Sequence, residues 1–225
     1  MELNQYIDHT KLGANISESQ IDQLVEEAKT YAFKSVCVNP IWIKKVKALL
    51  KGSKVLVCTV IGFPHGTHHA NIKGLEARQA VLDGADELDM VINVYALKSG
   101  QYDIILDEIK QVVHEAQGRI VKVIIETCYL TKEEIIKASK LCLEAGAQFV
   151  KTSTGFGTHG ATIEDVKLMK QTVKDRAEVK ASGGVRTYED AIKMIEAGAS
   201  RIGTSNGIDI VTKKRRDVND TNTTY

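Results

Sequence analysis

The chain has 225 residues, of which 43% are hydrophobic and 26% are charged, with 30 basic and 29 acidic side chains. A net charge of +1 gives no reason to expect nucleic acid or an acidic membrane as a partner, and no apolar run approaches the roughly 18 to 20 residues of a membrane span. The N-terminus lacks the pattern of a signal peptide, and the four cysteines lack CxxC spacing. We therefore expect a cytoplasmic globular protein without a zinc site or a disulfide framework.

Short apolar strands are predicted to alternate with helices along the whole chain. The helices have recognisable ends, since Ser17 with Gln20 forms a capping-box pattern, Thr131 precedes a second helix, and Gly146 ends that helix. The predicted strands lie at residues 6–8, 35–39, 54–61, 87–92, 120–125, 149–151, 177–181 and 200–203.

The strand pattern also predicts the fold class. Strands that are apolar throughout, rather than alternating, favour a parallel sheet covered by helices. Eight strand–helix units predict an α/β protein, a single-domain TIM (β/α)8 barrel over residues 1–211, with an open doubly wound sheet as the alternative. Residues 212–225 begin with a basic run and have no apolar period, so we predict a polar C-terminal tail there.

Lys151 is the first candidate for chemistry. It follows the strand-like pair at 149–150 and precedes a run of hydroxyl and glycine residues, which is typical of a buried strand that delivers a side chain to a site. A desolvated lysine beside another cation gives up its proton more easily and can then form a Schiff base with a carbonyl. The alternative is a strand-end lysine that reaches solvent.

The barrel prediction turns the strand ends into a set of candidate residues, because TIM-barrel sites lie at the carboxyl ends of the strands. Lys151 and Lys180 fall on adjacent strands, where like-charge repulsion favours loss of a proton from one of them. A cluster of buried salt bridges without chemistry is the alternative. The polar residues at or near the strand ends are Asp8, Asn39, Asp89, Glu126, Lys151 and Lys180.

Two glycine-containing loops follow the last two strands, Ser182-Gly183-Gly184 and residues 203–207. TIM barrels frequently bind phosphate there through backbone amides, although two ordinary turns are the alternative. The loop histidines His65, His68 and His69 lack partners with ligand spacing, so we expect no metal site. Cys37 is interpreted as a small buried hydrophobe rather than a reactive thiol.

Several motifs taken together resemble one known family. Residues 151–156 (KTSTGF), 179–186 (VKASGGVR) and 87–93 (ELDMVIN) closely resemble the deoxyribose-phosphate aldolases, as do residues 6–10, 35–40 and 60–64. The resemblance runs from about residue 6 to residue 207. It implies a class I aldolase, without metal or cofactor, that reversibly cleaves 2-deoxy-D-ribose 5-phosphate to acetaldehyde and D-glyceraldehyde 3-phosphate in deoxyribose phosphate catabolism.

The resemblance also implies roles for individual residues. Lys151 is the expected Schiff-base nucleophile, Lys180 the neighbouring ammonium that keeps it uncharged, and Asp89 the group that exchanges protons with a bound water. Tyr225 matches a terminal tyrosine that reaches the site in family members. The expected substrate- and phosphate-binding residues are Gly183, Gly184, Gly203, Ser205, Asn206 and Thr154.

The expected partners are small molecules, namely a phosphorylated sugar and aldehydes, with a homodimer left open. Two rival functions remain at this stage. One is another Schiff-base barrel aldolase that acts on a ketose phosphate, and the other is a non-catalytic barrel that binds sugar phosphates.

Overall fold

The computed structural model describes residues 2–214, so most of the predicted tail, including Tyr225, lies outside the described residues. Eight parallel strands close into a barrel in sequence order, and β8 pairs with β1. The TIM-barrel prediction is confirmed, and the open-sheet alternative is wrong. The strands are β1 (Ile7–Lys11), β2 (Ser35–Val38), β3 (Leu56–Ile61), β4 (Glu87–Val91), β5 (Ile120–Ile124), β6 (Phe149–Lys151), β7 (Glu178–Ser182) and β8 (Arg201–Thr204).

The helices connect successive strands, and three short 3-10 helices occupy residues 3–6, 40–42 and 127–129. No helix in residues 2–214 is both long enough and apolar enough to cross a membrane. The α-helices are α1 (Glu18–Thr30), α2 (Ile43–Leu49), α3 (Ala70–Asp83), α4 (Val94–Lys98), α5 (Tyr102–Glu115), α6 (Lys132–Glu144), α7 (Ile163–Val173), α8 (Tyr188–Glu196) and α9 (Gly207–Thr212).

The predicted helix starts are confirmed at atomic detail. The Ser17 side chain accepts from the Gln20 amide, and Thr131 forms the same reciprocal capping box with Glu134. Gly84 ends α3 in the left-handed region at φ 107°, where a side chain would also meet the Lys47 stem at 2.9 Å. These local signals set where α1 and α6 begin and where α3 ends.

Two short helices were not predicted. α4 has five residues, too few for an apolar period, and it is started by the Asn93 side chain, which accepts from the Ala96 amide. α9 reaches Thr212, so it extends one residue into the predicted tail. Both follow strand ends, where they shape the mouth of the barrel.

The apolar core lies between the strands and the surrounding helices. Helix α1, for example, buries its predicted face of Ile21, Leu24, Val25 and Ala28 against the sheet. The inside of the barrel differs, because ionisable side chains from several strands project into it and are almost completely buried. This charged interior positions the candidate site.

Candidate active site

Seven ionisable groups meet inside the barrel, and each is at most 5% exposed. They come from six strands, since β4 contributes two carboxylates and every other strand that takes part contributes one group. Parallel register places some of them side by side, for instance by pairing Lys151 directly with Lys180. The seven residues are Asp8, Glu87, Asp89, Lys122, Lys151, Lys180 and Arg201, and we refer to them as the barrel cluster.

Asp89 is the centre of the barrel cluster. Its Oδ2 accepts from Lys151 Nζ at 2.8 Å and from Lys180 Nζ at 2.7 Å. Its Oδ1 accepts from Lys122 Nζ at 2.8 Å and from the Cys58 thiol at 3.2 Å. The structure therefore brings the three predicted residues Lys151, Lys180 and Asp89 together, with both ammonium groups on a single carboxylate oxygen.

A deeper layer holds these groups from below. Lys122 Nζ lies 2.6 Å from Glu87 Oε2, and Arg201 bridges Glu87 at 2.9 Å and Asp8 at 2.7 Å. Asp8 in turn lies 2.5 Å from Lys180 Nζ. Every cation of this layer touches at least two carboxylates, so the layer forms a continuous ionic network beneath the two lysines.

The network fixes most of its members in their charged forms. Burial would raise the pKa of Asp89, but Lys122, Lys151 and Lys180 outweigh burial and hold that pKa well below its usual range. Burial would lower the pKa of Lys180, but Asp8 and Asp89 hold it well above its usual range. Mutual repulsion of two lysines thus does not decide the state of Lys180, which stays an ammonium because two carboxylates contact it.

The charge of the barrel cluster is not balanced. Four basic groups face three carboxylates, so loss of one proton would bring the cluster to neutrality. Lys180 and Arg201 each contact two carboxylates and Lys122 contacts three, whereas the ion pair found for Lys151 is with Asp89 alone among the described residues. Lys151 is also the lysine nearest the solvent side, at 3% exposure against none for Lys180.

The predicted phosphate loops lie side by side at the same end of the barrel. Ser182 pairs with Gly203 across β7 and β8, and the Thr204 hydroxyl donates to Val185 O at 2.8 Å. Gly183 and Gly184 both have φ near 78°. A side chain at Gly203 would meet Lys180 Cε at 3.0 Å, so glycine there permits close approach to the lysine.

Exposure within these loops suits an anion that arrives from solvent. Gly184 and Ser205 are exposed, and Asn206 is half-buried at the start of α9. Thr154 differs from them, because its amide donates to Glu126 Oε1 at 3.1 Å and its hydroxyl donates to Glu126 Oε2. Both hydrogen-bond donors of Thr154 are thus directed to a carboxylate. That Thr154 binds the substrate stays a prediction.

The metal prediction concerned the loop of His65, His68 and His69, which forms no metal-holding group within residues 2–214. A different trio, Cys37, Cys58 and Asp89, has ligand atoms within 4.8 Å of one another. Asp89 already contacts three ammonium groups, so this environment disfavours an added cation. Cys37 is fully buried in a small apolar cluster with Leu12 and Cys58, as predicted.

Three residues of the barrel cluster were not among the candidates drawn from the sequence, namely Glu87, Lys122 and Arg201. Lys122 lies within the run Ile120–Ile124, where an isolated lysine between apolar residues was the available signal. Arg201 begins β8 at the amino end of the strand, outside the strand-end rule, and that rule could not have found it.

The fold and the comparisons with known proteins define the class: this is a TIM-barrel aldolase, a carbon–carbon lyase. The chain belongs to the DeoC/LacD family of aldolases, whose family model matches residues 3–213.

Individual relatives agree along nearly the full length. The chain is 58% identical over 214 residues to the deoxyribose-phosphate aldolase of Carboxydothermus hydrogenoformans, covering 93% of this chain and 94% of the relative. It is 52% identical to that of Acholeplasma laidlawii over 225 residues, all of both chains. A solved tetrameric deoxyribose phosphate aldolase from Aeropyrum pernix superimposes with a TM-score of 0.87 at 33% identity, covering 93% of this chain and 89% of that chain.

Proposed function

We propose that this chain is a class I aldolase that reversibly cleaves 2-deoxy-D-ribose 5-phosphate to acetaldehyde and D-glyceraldehyde 3-phosphate, with Lys151 as the Schiff-base nucleophile. The observation that carries the residue roles is the shared contact of Lys151 and Lys180 with Asp89 Oδ2. The substrate assignment is supported by the relatives at 58% and 52% identity, both named deoxyribose-phosphate aldolases.

The charge imbalance of the barrel cluster supports Lys151 as the nucleophile. An amine attacks a carbonyl only when it is uncharged. Lys180 is held as an ammonium by Asp8 and Asp89, so its charge repels a second proton on its neighbour. Deprotonation of Lys151 leaves three cations against three carboxylates, which is the least costly arrangement of charges in a buried site.

The reaction then follows from the chemistry of an imine. The Lys151 amine adds to the C1 aldehyde of the open-chain sugar, and loss of water gives a protonated imine. That cation accepts the electron pair when the bond between C2 and C3 breaks, which leaves an enamine of acetaldehyde. Asp89 and Lys180, which contact each other at 2.7 Å, supply and remove protons at the carbinolamine and enamine stages together with a water.

The two glycine loops would hold the phosphate. We assign this role to Gly183, Gly184, Gly203 and Ser205, with Asn206 at the start of α9. Backbone amides and a hydroxyl bind an anion without a fixed positive charge, and binding far from the reacting carbon orients the sugar. The tail from 212 to 225, with Tyr225, is proposed as a further contribution to the site, and residues 1–211 as the catalytic domain.

The setting is part of the same proposal. An enzyme that releases two aldehydes from a deoxyribose phosphate serves the catabolism of such sugars. The four cysteines are free thiols in the described part of the chain, and Cys37 pairs in register with Cys58. Cysteines without a disulfide partner in the described residues suit a reducing compartment, so we place the enzyme in the cytoplasm. We leave a homodimer as an open alternative to a monomer.

Borohydride trapping tests the nucleophile. Acetaldehyde with borohydride should convert Lys151 to its ethyl derivative, seen by peptide mass mapping, and Lys151→Met should take up no ethyl group on that peptide. A barrel that merely binds sugar phosphates would leave Lys151 unmodified. Comparing acetaldehyde with dihydroxyacetone phosphate as the donor separates the ketose-phosphate rival, which would prefer the latter.

A further inference from the structure

Glu126 is a buried carboxyl group beside the nucleophile to which the mechanism above gives no task. It follows β5 by two residues, and Ile124 at the end of β5 pairs directly with Lys151. Its side chain is nearly buried, at 4% exposure. Its backbone lies in the left-handed region, with φ 55° and ψ 66°, which is costly for a residue with a side chain and is common at functional sites.

The carboxylate of Glu126 makes a two-point contact with Thr154. The Thr154 amide donates to Oε1 at 3.1 Å, and the Thr154 hydroxyl donates to Oε2 through a short hydrogen bond. The hydroxyl oxygen also accepts from the Phe156 amide at 3.0 Å. One lone pair of that oxygen remains, so towards a substrate Thr154 can act as a hydrogen-bond acceptor and not as a donor.

The pair faces a cavity at the mouth of the barrel. The cavity has a volume of about 70 Å3, and its lining includes Glu126, Thr154, His65, Tyr129 and Phe156. The backbone on either side of Glu126 lies beside the nucleophile, since the Ile125 amide donates to Lys151 O at 3.0 Å and the Thr127 amide donates to Thr152 O at 2.9 Å. A side chain at Gly157 would meet Cys128 Sγ at 2.5 Å and Glu126 Cδ at 3.3 Å, so glycine at this position lets the loop close onto the carboxylate.

Cleavage between C2 and C3 requires a base that the imine end of the site does not supply. As that bond breaks, C3 becomes an aldehyde carbon, and its hydroxyl must lose a proton. Asp89, Lys151 and Lys180 are engaged with one another around the imine. The C3 hydroxyl lies on the other side of the breaking bond, so a second proton acceptor is needed there.

We infer that Glu126 accepts the proton of the substrate C3 hydroxyl through Thr154. The C3 hydroxyl donates its proton to Thr154 Oγ1 while Thr154 passes its own hydroxyl proton to Glu126 Oε2. The electrons of the former O–H bond form the C3 carbonyl, and those of the C2–C3 bond move into the imine. Glu126 ends as a neutral acid, and it returns the proton by the same route in the synthetic direction. This inference rests on the function proposed above.

The environment of Glu126 suits a proton acceptor. Burial raises the pKa of its carboxyl above the ordinary glutamate value, although Thr154 and Lys151 act in the opposite direction. A carboxylate with a raised pKa is a stronger base, so it takes up a hydroxyl proton more readily. The rate of cleavage should therefore decrease at low pH as Glu126 becomes protonated.

The test compares two reactions of the full-length protein, cleavage of 2-deoxy-D-ribose 5-phosphate and deuterium exchange at the methyl group of acetaldehyde in D2O. Exchange needs the imine and the enamine but involves no C3 hydroxyl. Glu126→Gln keeps the size of the side chain and an acceptor for the Thr154 amide, but it accepts no proton. We expect its cleavage kcat to fall about 100-fold or more, with exchange within about two-fold of wild type and the acid limb of the cleavage profile lost.

Glu134→Gln is the matched control, because Glu134 forms a second glutamate–threonine pair with Thr131 outside the site. It should leave both rates unchanged. If Glu126→Gln does not fold, Thr154→Val and Thr154→Ser take its place. Thr154→Val should lose cleavage but keep exchange. Thr154→Ser should cleave the sugar at least about ten-fold faster than Thr154→Val.

Each further outcome overturns one of the two proposals. A Glu126→Gln or Thr154→Val variant that cleaves the sugar at a rate near wild type, or that loses exchange and cleavage by the same factor, overturns the relay. A wild-type protein that neither exchanges deuterium nor forms the ethyl adduct on Lys151 overturns the proposed function itself.

Discussion

Within residues 2–214, ion pairs with both partners buried occur in two regions, and the two regions differ in kind. The barrel cluster joins seven groups from six strands. The second region is a single pair between helices, Lys73 on α3 and Glu108 on α5, joined at 2.6 Å and buried outside the barrel. The pair also bonds to the backbone after β4, since Lys73 donates to Val91 O and Glu108 accepts from the Asn93 amide.

The pKa shifts of the two regions run in opposite directions. Burial raises the pKa of Glu108 and lowers that of Lys73, so for each group burial disfavours the charged form. In the barrel cluster the neighbouring charges outweigh burial, and they lower the pKa of Asp89 and raise that of Lys180. In the helix pair, the attraction between two charges does not offset the cost of their desolvation. In the barrel cluster, the attraction does offset that cost for groups that contact two or more oppositely charged partners.

This difference separates a structural ion pair from a reactive one. The helix pair is electrically balanced, with one cation and one carboxylate, so loss of a proton from Lys73 or gain of a proton by Glu108 would leave an unpaired charge. The barrel cluster has one cation in excess, so it can release a proton and become balanced. Burial by itself therefore does not identify the site, but unequal charge within a buried network does.

The largest expected effect is that of Lys151→Met on activity. Removing the amine removes the covalent intermediate, so kcat/KM for the deoxyribose phosphate should fall by at least about 10^4-fold. The same change balances the barrel cluster, so the melting temperature should stay the same or rise. A steady-state assay and a thermal melt measure both quantities, and a large drop in stability would contradict the charge count.

Lys180→Leu should change the pH profile as well as the rate. Without this ammonium, Asp8 and Asp89 lose a cation and Lys151 loses a like-charged neighbour, and both changes favour a proton on Lys151. We expect kcat to fall about 10^2- to 10^4-fold and the rising limb of the pH–rate profile to move to higher pH. An unmoved limb in this variant would show that Lys180 does not control the charge of Lys151.

Breaking the helix pair should affect stability rather than chemistry. Lys73→Met leaves Glu108 as an uncompensated buried charge, and we expect the free energy of unfolding to fall by about 3 to 5 kcal/mol near neutral pH. Since the pKa of Glu108 is already raised, the loss should shrink as the pH falls towards that pKa and the carboxyl becomes neutral. Urea titrations at several pH values measure it, and a pH-independent loss would assign the effect to packing instead.

The architecture and the meeting of Lys151, Lys180 and Asp89 could be predicted from the sequence because both depend on local patterns. Lys151 ends an apolar strand and Lys180 lies two residues before the end of the next one, so a parallel barrel brings them close together near one end. The carboxylate they share, Asp89, was a candidate because it lies near the end of an apolar strand. These residues required the strand order but no knowledge of side-chain packing.

The remaining charged groups could not be predicted in this way. The partners of Lys122 and Arg201 depend on the stagger of the strands around the closed barrel, which sets the depth of each side chain. Lys73 and Glu108 lie on helices, where such residues usually face solvent. Their burial arises from the packing of α3 against α5, a tertiary contact that neither helix indicates alone.

The smallest effect is expected when both partners of the helix pair are replaced, as in Lys73→Met with Glu108→Leu. Burial opposes the charged form of both groups, raising the pKa of Glu108 and lowering that of Lys73, so each charge costs stability in the folded state. Two apolar side chains of similar volume avoid that cost, and we expect stability equal to the wild type or slightly above it, with kcat/KM within about two-fold. The two single variants and the double variant form a cycle that isolates the coupling between the groups. If the double variant lost activity while it kept its stability, the helix pair would be acting on Asp89 through the end of β4, and the two regions would not be independent.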